Sequence, residues 1–399
     1  VITYWSCKDA LIQTYTLPYV ELIQHYSGKT VYLVTLEQEQ QGTTETERET
    51  IRKQYATKNI VPVFFSYKRF GIRAAFNALG MVLQLRKLIR REKIGTIHTW
   101  CSPAGAIGYI LARLTGRPLI LDSFEPHAES MVENGGWKKN GMAFRILFYF
   151  EKKQTRKAQT VIAVAKEMRT YCRERYGYVP DSFFIKPALI DPKKIPLPNS
   201  DETTALKSQL NLNNTVSCVY AGKLGGLYLE KEITDLFKAG SEIWGDNFRA
   251  LVLSPSPETT WKALAAQSGF PESQLLVRYI PQHDVYRYLA LADFALNPVK
   301  PVPSKRYGTS IKDGEYWIAG LPVIITPDIS DDSEIIQKNN TGVIWGDFSA
   351  GGCRKTMLDM QQLLQTDREK LAARVRKQAN VYRNMQIADA IYRTIYGNN

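Results

Sequence analysis

The feature that most constrains this chain is an alternation that runs twice. Short apolar runs are separated by longer amphipathic segments. In the first half the runs are Val1–Trp5, Val31–Thr35, Val61–Phe65, Gly95–Thr99, Arg117–Leu121 and Val161–Val164. In the second they are Val216–Ala221, Arg249–Leu253, Val277–Ile280, Phe294–Pro298, Val323–Ile325 and Gly342–Trp345. Runs this short, apolar throughout and not alternating with polar residues, suit parallel strands covered on both faces. Parallel neighbours need a crossover of a dozen residues or more, and the segments between the runs have helical periodicity. A polar, proline-rich link, Asp191-Pro-Lys-Lys-Ile-Pro-Leu-Pro198, separates the two series. The expected fold class is therefore α/β, with two Rossmann-like doubly wound domains. The first spans 1–180, a linker 181–205 and the second 206–375, leaving 376–399 as a C-terminal helix.

The length of 399 residues and 44% apolar content fit two globular domains. A net charge of +13, from 52 basic and 39 acidic residues, calls for an anionic partner: a nucleotide, a nucleic acid or an acidic membrane surface. The five cysteines are scattered without a Cys-x-x-Cys pair, and the four histidines are equally dispersed. Neither a metal cluster nor a disulfide framework is expected, and reduced thiols suggest a cytoplasmic location. No run of about 18 apolar residues offers a membrane span, and the opening residues do not read as a secretory leader. Residues 68–93 carry eight Lys or Arg beside Ile72, Phe76, Leu79, Leu83, Leu85 and Leu88, and residues 138–157 add seven more. Such basic amphipathic helices either face a core and solvate their charges or lie on an anionic bilayer. Periodicity leaves both open.

In doubly wound sheets, ligands bind at the carboxyl ends of the strands. After the first strand comes Ser6–Thr16, with Lys8, Asp9, Gln13 and Tyr15. Asp122, Glu125, His127 and Glu129 cluster at the end of the Arg117–Leu121 strand. Gly222-Lys-Leu-Gly-Gly226 follows the first strand of the second half; its glycines let backbone amides approach a phosphate, and Lys223 adds charge. Ser27-Gly-Lys-Thr30 imitates the end of a P-loop. However, Ile23 stands where that motif needs glycine, and a strand follows instead of preceding it, so the segment reads as a turn. The richest stretch is Ser304–Thr326. Ser310 suits an N-cap, 311–319 a helix, Gly320 its left-handed stop and Val323–Ile325 a buried strand. Free amides and the helix dipole attract phosphate at such a start. Lys312 adds a charge, and Glu315, three residues on, shares its face and suits ribose hydroxyls. The plain alternatives are a capped surface helix with a Lys312–Glu315 pair and, for 122–129, a polar loop with a local salt bridge.

Ser310-Ile-Lys-Asp-Gly-Glu-Tyr-Trp-Ile-Ala-Gly-Leu-Pro-Val323 resembles the donor-binding segment of GT-B-fold bacterial glycosyltransferases close to family four (glycosyltransferase group 1). There the pattern Ser-Pro-Leu-Lys-x-x-Glu-Tyr-x-Ala-x-Gly-x-Pro-Val grips a nucleotide-sugar. Ile311 replaces the usual proline, and Tyr307 stands where many relatives carry a first glutamate. Asp122–Glu129 is similar to their Asp-x-His-Asp-Leu-Trp-Pro-Glu segment, with Phe124 in the place of the histidine. Relatives also carry a second cation after the position of Lys223, near Leu227 and Tyr228 here.

The resemblance implies a GT-B arrangement of two domains facing a cleft, with the last helix returning to the first domain. It implies transfer of a hexosyl group from a UDP- or GDP-linked sugar to a hydroxyl acceptor, with retention. No cofactor is expected, and no metal, because the donor stretch lacks an Asp-x-Asp site. Gly222, Lys223, Gly225, Ser310, Lys312 and Glu315 would hold the donor. Asp122, Glu125 and His127 are the catalytic candidates, and Gln13, His98 and Glu129 the acceptor-side ones. A lipid-linked glycan is one candidate acceptor. Bacterial surface polysaccharide or glycolipid synthesis, at the inner face of the cell membrane, is the implied setting. The rivals are a GT-B-fold sugar-nucleotide epimerase and a basic nucleic-acid- or membrane-binding protein without catalysis. Segregation of polar residues into strand-end loops argues against nucleic acid.

Overall fold

The structure, a computed structural model, describes residues 1–9, 11–38, 42–67, 72–191 and 199–397, with side chains not described for 72–76. Much of the proline-rich link, the basic residues at 68 and 69, and the side chain of Arg73 lie outside the described residues. The chain divides into two compact units, Val1–Leu189 with Met385–Asn399, and Ile190–Asn384.

Unit 1 holds strands β1 (Val31–Glu37), β2 (Ile60–Ser66), β3 (Ile97–Trp100), β4 (Leu119–Phe124), β5 (Thr160–Ala163) and β6 (Ser182–Ile185). Its helices are α1 (Leu17–Ser27), α2 (Glu45–Ala56), α3 (Ile72–Arg91), α4 (Ser102–Thr115), α5 (His127–Glu133), α6 (Met142–Lys157) and α7 (Met168–Tyr171). All strand pairs are parallel, β1 with β2 and β3 through β6 in order. The expected first strand is a minimal one. Ile2 bridges both Val34 and Thr99 and so joins the two sets of strands. Its amide donates to His98 O at 2.8 Å and its carbonyl accepts from Trp100 N at 2.8 Å.

Three expectations change. Ser6–Thr16 is not all loop, because Leu11–Thr16 forms a wide π-turn that runs into α1. Residues 181–189, expected in the linker, belong to unit 1, where β6 pairs with β5. In α3 the buried line is Met81, Val82, Leu85 and Ile89, while Leu79 and Leu83, expected on the apolar side, are 57% and 49% exposed. At 3.6 residues per turn those two fall on the outer face. Helices α3 and α6 both pack on α4.

Unit 2 holds β7 (Val216–Ala221), β8 (Phe248–Leu253), β9 (Leu275–Arg278), β10 (Phe294–Asn297), β11 (Val323–Ile325) and β12 (Gly342–Ile344). Its helices are α8 (Ser200–Gln209), α9 (Lys231–Trp244), α10 (Glu258–Ser268), α11 (Val285–Leu289), α12 (Ile311–Ala319), α13 (Asp332–Asn339), α14 (Ala350–Leu364) and α15 (Arg368–Tyr382). The parallel sheet runs β12-β11-β10-β7-β8-β9. Strand order reverses between β7 and β10, and such a switch point opens a crevice at the carboxyl ends. Residues 376–382, expected to leave with the C-terminal helix, stay in α15, which packs on α12. The returning helix is α16 (Gln386–Tyr396), which packs on α1 in unit 1.

Candidate functional site

The switch point of unit 2 gathers Gly222, Lys223 and Gly225 after β7 with Ser310, Lys312 and Glu315 at the start of α12. Two bonds set this geometry. Ala221 N donates to the Tyr316 hydroxyl at 3.0 Å, tying the end of β7 to α12. Asn297, the last residue of β10, donates to Ser310 Oγ at 3.1 Å and to both oxygens of Asp313 at 2.9 and 2.7 Å. Ser310 occupies the N-cap position, but its hydroxyl makes no cap bond and is turned to Asn297 instead. The first-turn amides thus keep no side-chain cap, which suits an incoming anion. Asp313, buried under this turn, does not oppose that anion with a full charge. Burial, with Asp332 beside it, pushes its carboxyl well above the usual range. Asp332 is bound by the buried Arg383 guanidinium, which also donates to Thr309 Oγ1 at 2.8 Å.

Lys312 is the most informative side chain of the site. Its stem is partly exposed, but Nζ is buried and has no hydrogen-bond partner. The ammonium lies 3.7 Å from the Tyr228 ring centroid and 4.9 Å from that of Tyr220. A cation–π contact offsets only part of the desolvation of an ammonium. Burial accordingly brings Lys312 down from 10.5 to about 7, against the pull of Asp313 and Glu315. A Cβ at Gly222 would stand 2.3 Å from Lys312 Nζ and 2.8 Å from the Tyr220 hydroxyl, so a larger residue would displace the ammonium from its place. Gly225 and Gly226 have φ of 85° and 66°, which glycine adopts freely. Lys223 is exposed beside them.

The plain alternative, a surface pair of Lys312 with Glu315, does not form as a hydrogen bond. Glu315 accepts from the Tyr286 hydroxyl of α11 at 3.3 Å, and burial raises its carboxyl to about 7 despite Tyr286 and Lys312. Tyr228 was visible in the sequence only as a missing cation. Its ring face is what Lys312 meets.

In unit 1 the candidates separate. Asp122 and His98 are fully enclosed, at 0% and 2% exposure. Asp122 Oδ2 accepts from His98 Nε2 at 3.0 Å and from the Tyr392 hydroxyl at 2.6 Å, and Lys186 Nζ lies 3.0 Å from Oδ1. Burial alone would raise Asp122, but Lys186, His98 and Tyr392 outweigh it and bring the carboxyl to about 2. Lys186 is caged by the Tyr19 and Trp100 rings at 3.8 and 4.1 Å. His98 Nδ1 meets the Tyr396 hydroxyl at 2.8 Å, and burial lowers its pKa. This network fastens α16 to the sheet. Asp122 therefore leaves the catalytic candidates, and His98 the acceptor-side ones, because neither presents a polar atom to a substrate.

Glu125 and His127 stay together at the surface, partly exposed, with His127 Nδ1 3.9 Å from Glu125 Oε1. Glu129 is bound to Arg175 at 2.7 Å. Gln13 is exposed, but its amide is committed to Cys7 O at 2.6 Å and the Tyr55 hydroxyl at 2.8 Å, so it shapes its loop. Ser27–Thr30 is the turn closing α1, with Gly28 at φ 62°. Among the described residues no group of three His, Cys, Asp or Glu is placed to hold a metal ion, and all five cysteines are free and buried.

Residues 20–194 match the sequence model of the family described as Glycosyltransferase Family 4. No curated protein sequence matches the chain at a significant level. Among solved structures, HepE of Anabaena in complex with UDP is 13% identical, with 99% of this chain and 98% of that one covered and a TM-score of 0.69. Sucrose-phosphate synthase of Thermosynechococcus elongatus is 14% identical over 100% and 99% of the two chains, at a TM-score of 0.72. WaaG, a glycosyltransferase involved in lipopolysaccharide biosynthesis, is 14% identical over the whole of both chains, at 0.69. At such identities the likeness establishes the fold, and the match over 20–194 adds the chemistry: the chain is a glycosyltransferase of GT-B fold, similar over those residues to family 4.

Proposed function

We propose that the chain transfers a hexosyl group from a UDP- or GDP-linked sugar to a hydroxyl acceptor, binding the donor at the switch point of unit 2. One observation carries this reading. Lys312 keeps a buried ammonium without a hydrogen-bond partner, beside a glycine loop and an uncapped helix start. A group held in so unfavourable a state is explained by a ligand that rewards it, and a diphosphate is the anion that fits. As the bond from sugar to phosphate breaks, charge develops on the departing diphosphate. Lys312, Lys223 and the amides of the first turn of α12 meet that charge without a metal ion. Glu315 accepts from the ribose hydroxyls. Glu125 and His127 of unit 1 remain the catalytic candidates, in the domain that receives the acceptor. Retention at the anomeric carbon follows from the resemblance of 310–323 to the donor segment of retaining enzymes. The structures of HepE with UDP and with UDP-glucose favour UDP.

A role in bacterial surface polysaccharide or glycolipid synthesis, at the cytoplasmic face of a membrane, accords with the charge of unit 1. Helices α3 and α4 contain no Asp or Glu, and the one acid of α6, Glu151, is buried. Their outer faces expose Leu79, Leu83, Met142, Ile146 and Tyr149 among lysines and arginines. Apolar side chains within a wholly basic face suit an anionic bilayer carrying a lipid-linked acceptor. No helix among the described residues is long and apolar enough to cross a membrane.

A panel of UDP- and GDP-sugars, each followed for released nucleotide, tests the reaction. Release from one donor, abolished in Lys312→Ala, supports it. Conversion of one nucleotide-sugar into another without release identifies an epimerase instead.

A further inference from the structure

Helix α6 exposes Met142, Arg145, Ile146, Tyr149, Arg156 and Lys157, and its sequence gives no hint of a polar inner face. Yet Glu151, Gln154 and Thr155 are all fully buried. Two of them leave the helix to hold loops at the carboxyl edge of the sheet. Gln154 Nε2 donates to Ser102 O at 3.2 Å, and Ser102 Oγ donates onward to Glu125 O at 2.7 Å. Glu151 Oε1 accepts from Ala128 N at 3.0 Å, and the Tyr176 hydroxyl lies 3.0 Å from Oε2. Helix α5 follows Pro126, whose side chain makes no cap bond. The second amide of α5 is therefore satisfied by a carboxyl 23 residues further along the chain.

We propose that Glu151 is a positioning residue for the acceptor-side loop: its buried carboxyl clamps the first turn of α5 through the Ala128 amide and so fixes where Glu125 and His127 stand. This rests on the acceptor-side reading of that loop. At pH 7 the clamping carboxyl is mostly neutral. Burial raises Glu151 to about 8, against the Ala128 and His127 amides and the Tyr176 hydroxyl, while Glu129 pushes it further up. The other ionisable groups facing it, Tyr171 and Cys172, are themselves raised by burial and carry no charge at neutral pH. In the neutral state Oε1 accepts from Ala128 and the proton on Oε2 points to the Tyr176 oxygen. Glutamine reproduces that pattern, with one oxygen accepting and one N–H donating. Leucine reproduces neither and strands the Ala128 amide.

The test uses the full chain labelled with 15N-alanine, with the Ala128 amide followed from pH 6 to 9.5. Hydrolysis of UDP-glucose provides the kinetic probe. In the wild type the Ala128 resonance inflects near pH 8, as its acceptor gains charge. Glu151→Gln abolishes the inflection and keeps turnover within twofold of wild type at pH 7. Glu151→Leu loses tenfold or more in kcat with KM for UDP-glucose unchanged. Should the leucine variant fail to fold, Tyr176→Phe serves, because removing a hydroxyl that supports the charged form moves the inflection upward. A wild-type Ala128 amide that does not titrate, or one that titrates equally in Glu151→Gln, overturns the clamp. An inflection near 8 combined with turnover indifferent to Glu151→Leu upholds the clamp and overturns the acceptor-side reading of the loop.

Discussion

Replacing Lys312 by methionine keeps an unbranched side chain of similar length and removes the charge. Two effects of opposite sign follow. An ammonium near pH 7 in the free protein is charged in only part of the molecules, and a diphosphate selects that part. UDP-glucose is a suitable ligand because its diphosphate diester does not titrate in this range. With Lys312 at about 7, its charged fraction falls about eightfold between pH 7.5 and 8.5, while ionisation of Glu315, also near 7, offsets about 1.3-fold, leaving roughly sixfold weaker binding. In Lys312→Met that alkaline fall disappears. Loss of one charge-assisted bond, about 1.5–3 kcal/mol, also weakens binding by roughly tenfold or more at pH 7.5.

Stability moves the other way. The folded value lies below the unfolded 10.5, so between about 7 and 10.5 the unfolded chain binds more protons, and the wild type loses stability as pH falls through that window. At about 1.4 kcal/mol per pH unit, the cost reaches up to about 4 kcal/mol at pH 7. Methionine does not incur it. Lys312→Met is therefore expected to melt above the wild type at pH 7 while binding UDP-glucose worse. Calorimetry at the two pH values and thermal melts without ligand measure both. A variant that melts lower and binds as well as wild type refutes the reasoning.

Glu315→Gln is expected to remove the acid-side weakening of UDP-glucose binding below pH 7, where the wild-type carboxyl takes up a proton; an acid limb that persists assigns it to another group. Tyr392→Phe deprives the buried Asp122 charge of a 2.6 Å donor and is expected to cost about 1.5–3 kcal/mol, read as a lower urea midpoint at unchanged UDP affinity. Replacing Arg86, Lys87, Arg90 and Arg91 by glutamine is expected to weaken sedimentation with anionic vesicles at low salt, at about 1 kcal/mol per charge. A wild type that stays in solution with those vesicles makes the basic face a solvated one.

The sequence revealed the fold through its alternation, because buried parallel strands leave an unbroken apolar run. It was weaker at edges. Val1–Trp5 contributes only the bridges of Ile2, and β6 was hidden in the linker, since Ser182–Ile185 borders a proline-rich stretch. In the proposed donor site the residues named from 222–225 and 310–315 come together, because each lies at a strand end or helix start that local signals mark. What stayed hidden depends on distance in sequence. No local pattern brings Tyr228 over Lys312, Asn297 to Ser310, or Lys186 and Tyr392 to Asp122. Asp122 looked catalytic because a carboxylate at a strand end is the usual place for one. Its partners come from β3, the end of β6 and α16, and only the fold shows that they enclose it.

The central claim, a nucleotide-diphosphate site built at the switch point of unit 2, is tested most directly by calorimetric titration of the wild type with UDP, GDP and ADP at moderate and high salt. The account predicts stoichiometric binding that discriminates among the three bases and survives the change in salt. Weak binding, indifferent to the base and lost with salt, is what a surface of net charge +13 would give without a built site, and it would contradict the account.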